Sequence, residues 1–130
     1  MRNYRDLQTW NKAHKLTLEL YKLSRQFPKE EIYGVTSQLR RAASSIGANL
    51  AEGCGRQTNP EFARFVRIAM GSASELDYHH LLLSRDLGFL EDDSYQLTSN
   101  TLTEVRKMLA SLLATVEIEV PTRARAVAKG

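Results

Sequence analysis

Between Asp93 and Glu119 the chain sets Thr98, Leu102, Val105, Leu109, Leu112 and Val116 at alternating steps of four and three. An apolar residue at about every 3.5 positions is the seam of a helix packed lengthwise against others. Such a helix cannot stand alone in water, so its partners must lie elsewhere in the chain. Three earlier segments supply them. The first runs from about Asp6 to Gln26, with Leu7, Trp10, Ala13, Thr17, Leu20 and Ser24 on one side, and Pro28 and Gly34 stop it. The second, about Thr36 to Ala51, carries Leu39, Ala43, Ile46 and Leu50, with Gly53 and Gly55 as its expected end. The third begins at "TNPEF", where Thr58 and Glu61 have capping-box spacing and Pro60 fits a first turn. Its seam is Phe62, Phe65, Ala69, Ala73, Leu76, His80, Leu83 and Leu87, up to a glycine stop at Gly88.

No segment alternates at the strand period. Four long helices joined by short connections predict an all-α, antiparallel up-down-up-down four-helix bundle over residues 1–120. After Pro121 the tail "TRARAVAKG" is basic and has no apolar face, so residues 121–130 are expected to be disordered, with Arg123, Arg125 and Lys129 free to graze a partner. No stretch is long and apolar enough to span a bilayer, and the first residues carry no secretory signal. Cys54, the single cysteine, cannot form an internal disulfide, so a cytoplasmic protein is expected.

The formal net charge of +3 is unevenly placed. Residues 1–65 hold 11 Lys/Arg against 6 Asp/Glu, and residues 66–130 hold 7 against 9, giving +5 and −2. That asymmetry points toward a polyanion partner or charge-matched self-association.

The second helix is unusually small-sided: half of "SQLRRAASSIGANLAEGCGR" is Ala, Ser or Gly. Ser37, Ser44, Ala48 and Ala51 form a face with almost no bulk, which lets another helix come close. Helix three has a second seam of Ile68, Gly71, Glu75, Tyr78 and Leu82, and Met70 and Leu81 fall on a third side. This is more apolar surface than one bundle needs. A homo-oligomer is therefore expected, with Ile68, Met70, Tyr78, Leu81 and Leu82 as candidate interface residues.

The pattern "W..A..L...LY.LS..FP..E.YG", then "SQLRRAASSIGANLAEG", then "F.RF..IA.GSASEL" resembles the proteins named for the intervening sequence of 23S ribosomal RNA genes. The resemblance covers Leu7 to about Leu87 directly. It implies a four-helix bundle similar in fold to the accessory variability determinant of diversity-generating retroelements, a homopentamer that binds nucleic acid and a reverse transcriptase. By resemblance a pentamer is the first expectation here, and Arg40, Arg41, Ser45, Asn49, Glu52, Gly53, Gly71, Ser72 and Glu75 are the signature positions. The resemblance implies no catalytic role for any of them.

Arg40 flanks the main seam of helix two, and a structural pair with Glu75 across helices two and three is favoured for it. Arg41 points away from the seam, where phosphate contact and surface pairing stand level. Asn49, and Glu52 before the glycines, are expected to anchor the "GCGRQT" loop, since a carboxylate at a helix C-terminus needs compensation. Ser72 and Glu75 complete this polar signature. In "ELDYHH", Asp77 and His80 have the Asp-x-x-His spacing of di-iron bundles, but the second such motif and two further glutamates are lacking. His14 does not complete it, and His80 reads as a core histidine. Neither a metal nor any other cofactor is expected. Cys54 has no base near it in sequence.

Arg5, Lys12, Lys15 and Lys22 share a sector of helix one opposite its seam, interrupted by Glu19. With Arg41 they are the candidate nucleic-acid contacts, backbone-directed because no aromatic sits among them for base stacking. The expected function is a non-catalytic binding or scaffold protein for structured RNA or DNA, with no membrane role. The alternative is a protein–protein adaptor.

Overall fold

The structure, a computed structural model, describes residues 2–119; the basic tail over 121–130 lies outside the described residues. After a short 3-10 turn (Tyr4–Asp6) come α1 (Gln8–Ser24), a second 3-10 turn (Lys29–Glu31) and α2 (Val35–Cys54). The third rod is composite: α3 (Asn59–Glu75), a π-helical turn (Leu76–Leu81) and α4 (Leu82–Asp86), followed by α5 (Asp92–Glu119). No strand occurs among the described residues.

Cross-helix pairs give the topology. Arg2 N–H donates to Cys54 O, Thr17 Oγ1 to Ala43 O and Arg40 Nε to Ser24 Oγ, so α2 descends as α1 rises. On the other side Arg67 pairs with Glu117, Asp77 with Arg106 and Asp92 with Arg85, again in opposite order. α1 and α2 are therefore antiparallel, as are the third rod and α5. Phe27 and Phe89, with ring centroids 5.8 Å apart, close one end of the bundle.

The expected seams of α2 and α5 are the ones that face the core, with Leu112 half-buried. In α1 the face is turned toward Leu16. Thr9, Ala13, Leu16, Leu20 and Ser24 are buried, while Leu7, Trp10 and Thr17 lie at the flank. The reason is visible at Thr17, whose hydroxyl bridges Ala13 O (2.9 Å) and Ala43 O (3.1 Å) and so belongs to the α1–α2 contact.

Gly53 does not end α2. The helix runs through it to Cys54, with Gly55 as its cap at an ordinary φ of −79°. Gly53 is instead a packing glycine: a Cβ there would stand 2.8 Å from Phe65 Cβ and 3.1 Å from Phe62 Cδ1. At the start of α3 the Thr58 side chain accepts the Glu61 N–H, as the spacing expects.

The π turn overturns the end of the third seam. A π turn holds one more residue than an α turn, so everything after it is rotated by one position. Leu81 and Ser84 therefore point into the core, and Leu83 and Leu87, expected there, are 42% and 50% exposed. Glu75 and His80, five apart, meet at 3.2 Å, and Ser84 Oγ donates to His80 O at 2.7 Å in the interior. Gly88, at φ +80°, then ends the rod as expected.

Gly53→Ala should destabilise the protein by about 1–3 kcal/mol, because the new methyl must push apart two phenylalanines. Gly71 has nothing within 4 Å of its Cβ position. Gly71→Ala should be neutral or stabilising by up to about 1 kcal/mol through helix propensity. Urea unfolding of both variants measures the contrast.

Candidate functional site

The basic residues of α1 do not form one continuous stripe with Arg41. Lys12 is half-buried and ion-paired with Glu104 of α5. Lys12, Lys15 and Glu19 line a groove of about 780 Å³ between α1 and α5, with Leu97 and Thr101 on the opposite wall. Lys15 and Lys22 are exposed, and no carboxylate pairs with either among the described residues. The Arg5 guanidinium lies 4.6 Å from the centroid of the Tyr4 ring. Arg41 is exposed and its guanidinium also lacks a partner among the described residues, but it stands on α2, beyond α1 from that groove. One of the five cations is thus neutralised and one faces elsewhere.

Arg40 takes partners other than the expected one. Its Nε donates to Ser24 Oγ (2.8 Å), its Nη2 to Tyr21 O (3.3 Å), and its guanidinium lies 4.9 Å from the Tyr21 ring centroid. It clips α2 to the end of α1, whose last carbonyls lack intrahelical donors. Glu75 is occupied by His80 instead, because the π turn brings those two residues together. Asp77, the other carboxylate of that cluster, is bound by Arg106 at 3.1 Å. Asn49 Nδ2 donates to Ser45 O (2.7 Å) and Ser72 Oγ to Ile68 O (3.3 Å), bonds local to their own helices. Glu52 is held by Arg56 at 2.7 Å, a cation from the loop that follows.

Among the candidate interface residues, Leu81 is fully buried and belongs to the core, for the register reason given above. Met70 and Leu82 are half-buried; Ile68 and Tyr78 are exposed, Tyr78 at 71%. A second surface is built on the small face of α2, where Ser44, Ala48 and Ala51 lie under an open groove and no further helix among the described residues covers them. On the outer side of the α1–α2 contact, Tyr4, Trp10, His14, Leu18 and Tyr21 wall a groove of about 410 Å³ floored by Ser44, Gly47, Ala48 and Ala51. Tyr4 meets Trp10 edge-on and Trp10 stacks on His14, both at 4.8 Å. The signal was the four-residue spacing of Trp10, His14 and Leu18, set against the small face of helix two.

Nothing in this arrangement assembles a nucleophile with a base. Cys54 is 1% exposed, and burial pushes its thiol above the usual range, only partly offset by Arg2. The described residues hold no group of three His, Cys, Asp or Glu able to bind a metal. No helix among them is long and apolar enough to cross a membrane.

Fold and surface together define an all-helical bundle that presents exposed cations and one aromatic-walled groove between α1 and α2. The family model for the 23S rRNA-intervening sequence protein matches residues 5–111, and the chain belongs to that family. A comparison with curated proteins gives no match. Among solved structures, a protein of unknown function from Bacteroides thetaiotaomicron, in the S23 ribosomal protein family, is similar at 25% identity and a TM-score of 0.75. The match covers 82% of this chain and 95% of that one.

Neighbouring arginines should behave oppositely. Arg40→Ala removes two interhelical hydrogen bonds and should lower stability by about 1–3 kcal/mol. Arg41→Ala should stay within about 0.5 kcal/mol of the parent. Thermal unfolding of the two variants checks this. Cys54 should resist alkylation in the folded protein and react at an ordinary rate once urea unfolds it.

Proposed function

We propose that this chain is a non-catalytic binding protein that holds structured RNA or DNA by its phosphate backbone, using exposed cations multiplied around a homo-oligomer. The observation that carries the reading is that Lys15, Lys22 and Arg41 stand exposed with no carboxylate to neutralise them among the described residues. Free cations of this kind release counterions from a polyanion when they bind, which makes affinity fall steeply with salt. The family's name ties it to an intervening sequence of 23S rRNA, which supports RNA as the first polyanion to try.

Self-association is supported by apolar side chains that the single bundle leaves in water, among them Leu18 at 56% exposure beside the aromatic groove. A pentamer is the arrangement the family resemblance favours. That same groove supports the second reading, an adaptor for a protein partner, because its walls are aromatic and its floor carries no charge.

A labelled RNA hairpin and a labelled DNA duplex, followed by fluorescence anisotropy at two salt concentrations, test the proposal. The matched variant is Lys15→Glu/Lys22→Glu/Arg41→Glu, with Lys12 kept because it pairs with Glu104. Affinity should fall as salt rises, and the variant should bind at least about tenfold more weakly with a shallower salt slope. Absence of binding at low salt, or binding indifferent to the charge reversal, would move the reading to the adaptor. Sedimentation velocity of the parent should show a mass several times that of one chain.

A further inference from the structure

Where α1 turns into α2, Ser24, Arg25, Phe27, Pro28, Lys29, Ile32, Thr36 and Arg40 enclose a pocket of about 320 Å³. Two features of it are unexplained by the fold. The first is Thr36. It is 2% exposed, and its Oγ1 is the single buried side-chain nitrogen or oxygen among the described residues left without a hydrogen-bond partner. A hydroxyl taken out of water with nothing to bond is costly, and native structures rarely keep one without a water or ion to serve it.

The second is charge. Arg40 is half-buried, and the groups its guanidinium binds, Ser24 Oγ and Tyr21 O, are neutral. Arg25 and Lys29 add two more positive charges to the same pocket wall. No carboxylate comes within ion-pair distance of any of these three residues among the described residues. The nearby Glu31 uses its Oε2 to cap the Val35 N–H at 3.0 Å and does not line the pocket. Three cations and an unpartnered hydroxyl around a cavity of this size match the chemistry of an oxyanion rich in acceptors.

We propose that this pocket at the α1–α2 hinge is a phosphate-binding site, in which the Thr36 hydroxyl, Arg40, Arg25 and Lys29 hold one phosphate group. Arg40 arrives pre-oriented by its bonds to α1, so little side-chain freedom is lost when the anion enters. The phosphate comes either free in solution or as part of a nucleic-acid backbone; the recognising chemistry is the same. The site lies apart from the α1–α5 groove and does not depend on the nucleic-acid reading above.

Titration of the full-length protein with inorganic phosphate by calorimetry, at constant ionic strength, tests the site. Arg40 is left alone because its loss would loosen the helices. Thr36→Val keeps the shape and removes the hydroxyl; Arg25→Gln/Lys29→Gln removes two surface charges. Each should weaken phosphate binding by about tenfold or more, the loss of at least one charge-assisted hydrogen bond, while thermal unfolding without phosphate shows both folded. The Lys15→Glu/Lys22→Glu/Arg41→Glu variant should bind phosphate as the parent does, whatever it does with RNA. If the pocket variants also weaken the RNA hairpin, the site takes backbone phosphate; if RNA is unaffected, it takes the free ion. No phosphate heat from the parent, or equal affinity in parent and pocket variants, would overturn the proposal.

Discussion

Gly53 sets how closely the end of α2 can approach α3, and the geometry of that corner follows from it. Phe62 and Phe65 occupy the space where a side chain would be. Once they seat against bare backbone, the Arg2 guanidinium can lie 4.2 Å from the Phe62 ring centroid and Arg2 N–H can reach Cys54 O, which ties the chain's start to the same corner. Ala42 and Ala43 do similar work further along α2, being buried with no bulk of their own. Helices this close leave little room for adjustment, so the far side of α2 is a fixed outer strip.

That outer strip changes the meaning of the small residues. Ala42, Ala43 and Gly53 serve internal packing, whereas Gly47, Ala48 and Ala51 floor an open groove walled by α1 aromatics. One helix thus spends its small side chains on two purposes, a tight interior and a shallow exterior. Lys15, Lys22 and Arg41 are exposed but do not line that groove. The polar signature residues divide in the same way. Arg40 and Glu52 join segments, while Asn49 and Ser72 bond within their own helices.

The bundle itself was legible because hydrophobic period and helix breakers agree. Leu39, Ala43, Ile46 and Leu50 face the core as their spacing says, and so do Thr98, Leu102, Val105, Leu109 and Val116. What stayed hidden were effects carried by tertiary contact. Gly53 has the composition of a stop and the role of a packing surface, and only the neighbouring phenylalanines distinguish the two. Arg40 has two directions in which to reach, and the wheel does not say that Ser24 and Tyr21 outcompete Glu75. The candidate site was legible as residue types more than as a surface: the cations are there, but Lys12 is tied to Glu104 and Arg41 is turned away. Thr36 carried no signal, since an unpartnered hydroxyl is a property of its surroundings.

The π turn between α3 and α4 divides the composite third rod into two phases. Upstream, the register is that of Ala69, Ala73 and Leu76; downstream it is that of Leu81 and Ser84. The extra residue in that turn works as slack in the chain. A sequence one residue shorter between Leu76 and Leu81 could close the turn as ordinary α-helix and still present the same faces on either side. Loss of one residue at this place would therefore keep the core seam, while the same loss anywhere else in the rod would rotate a whole seam out of it.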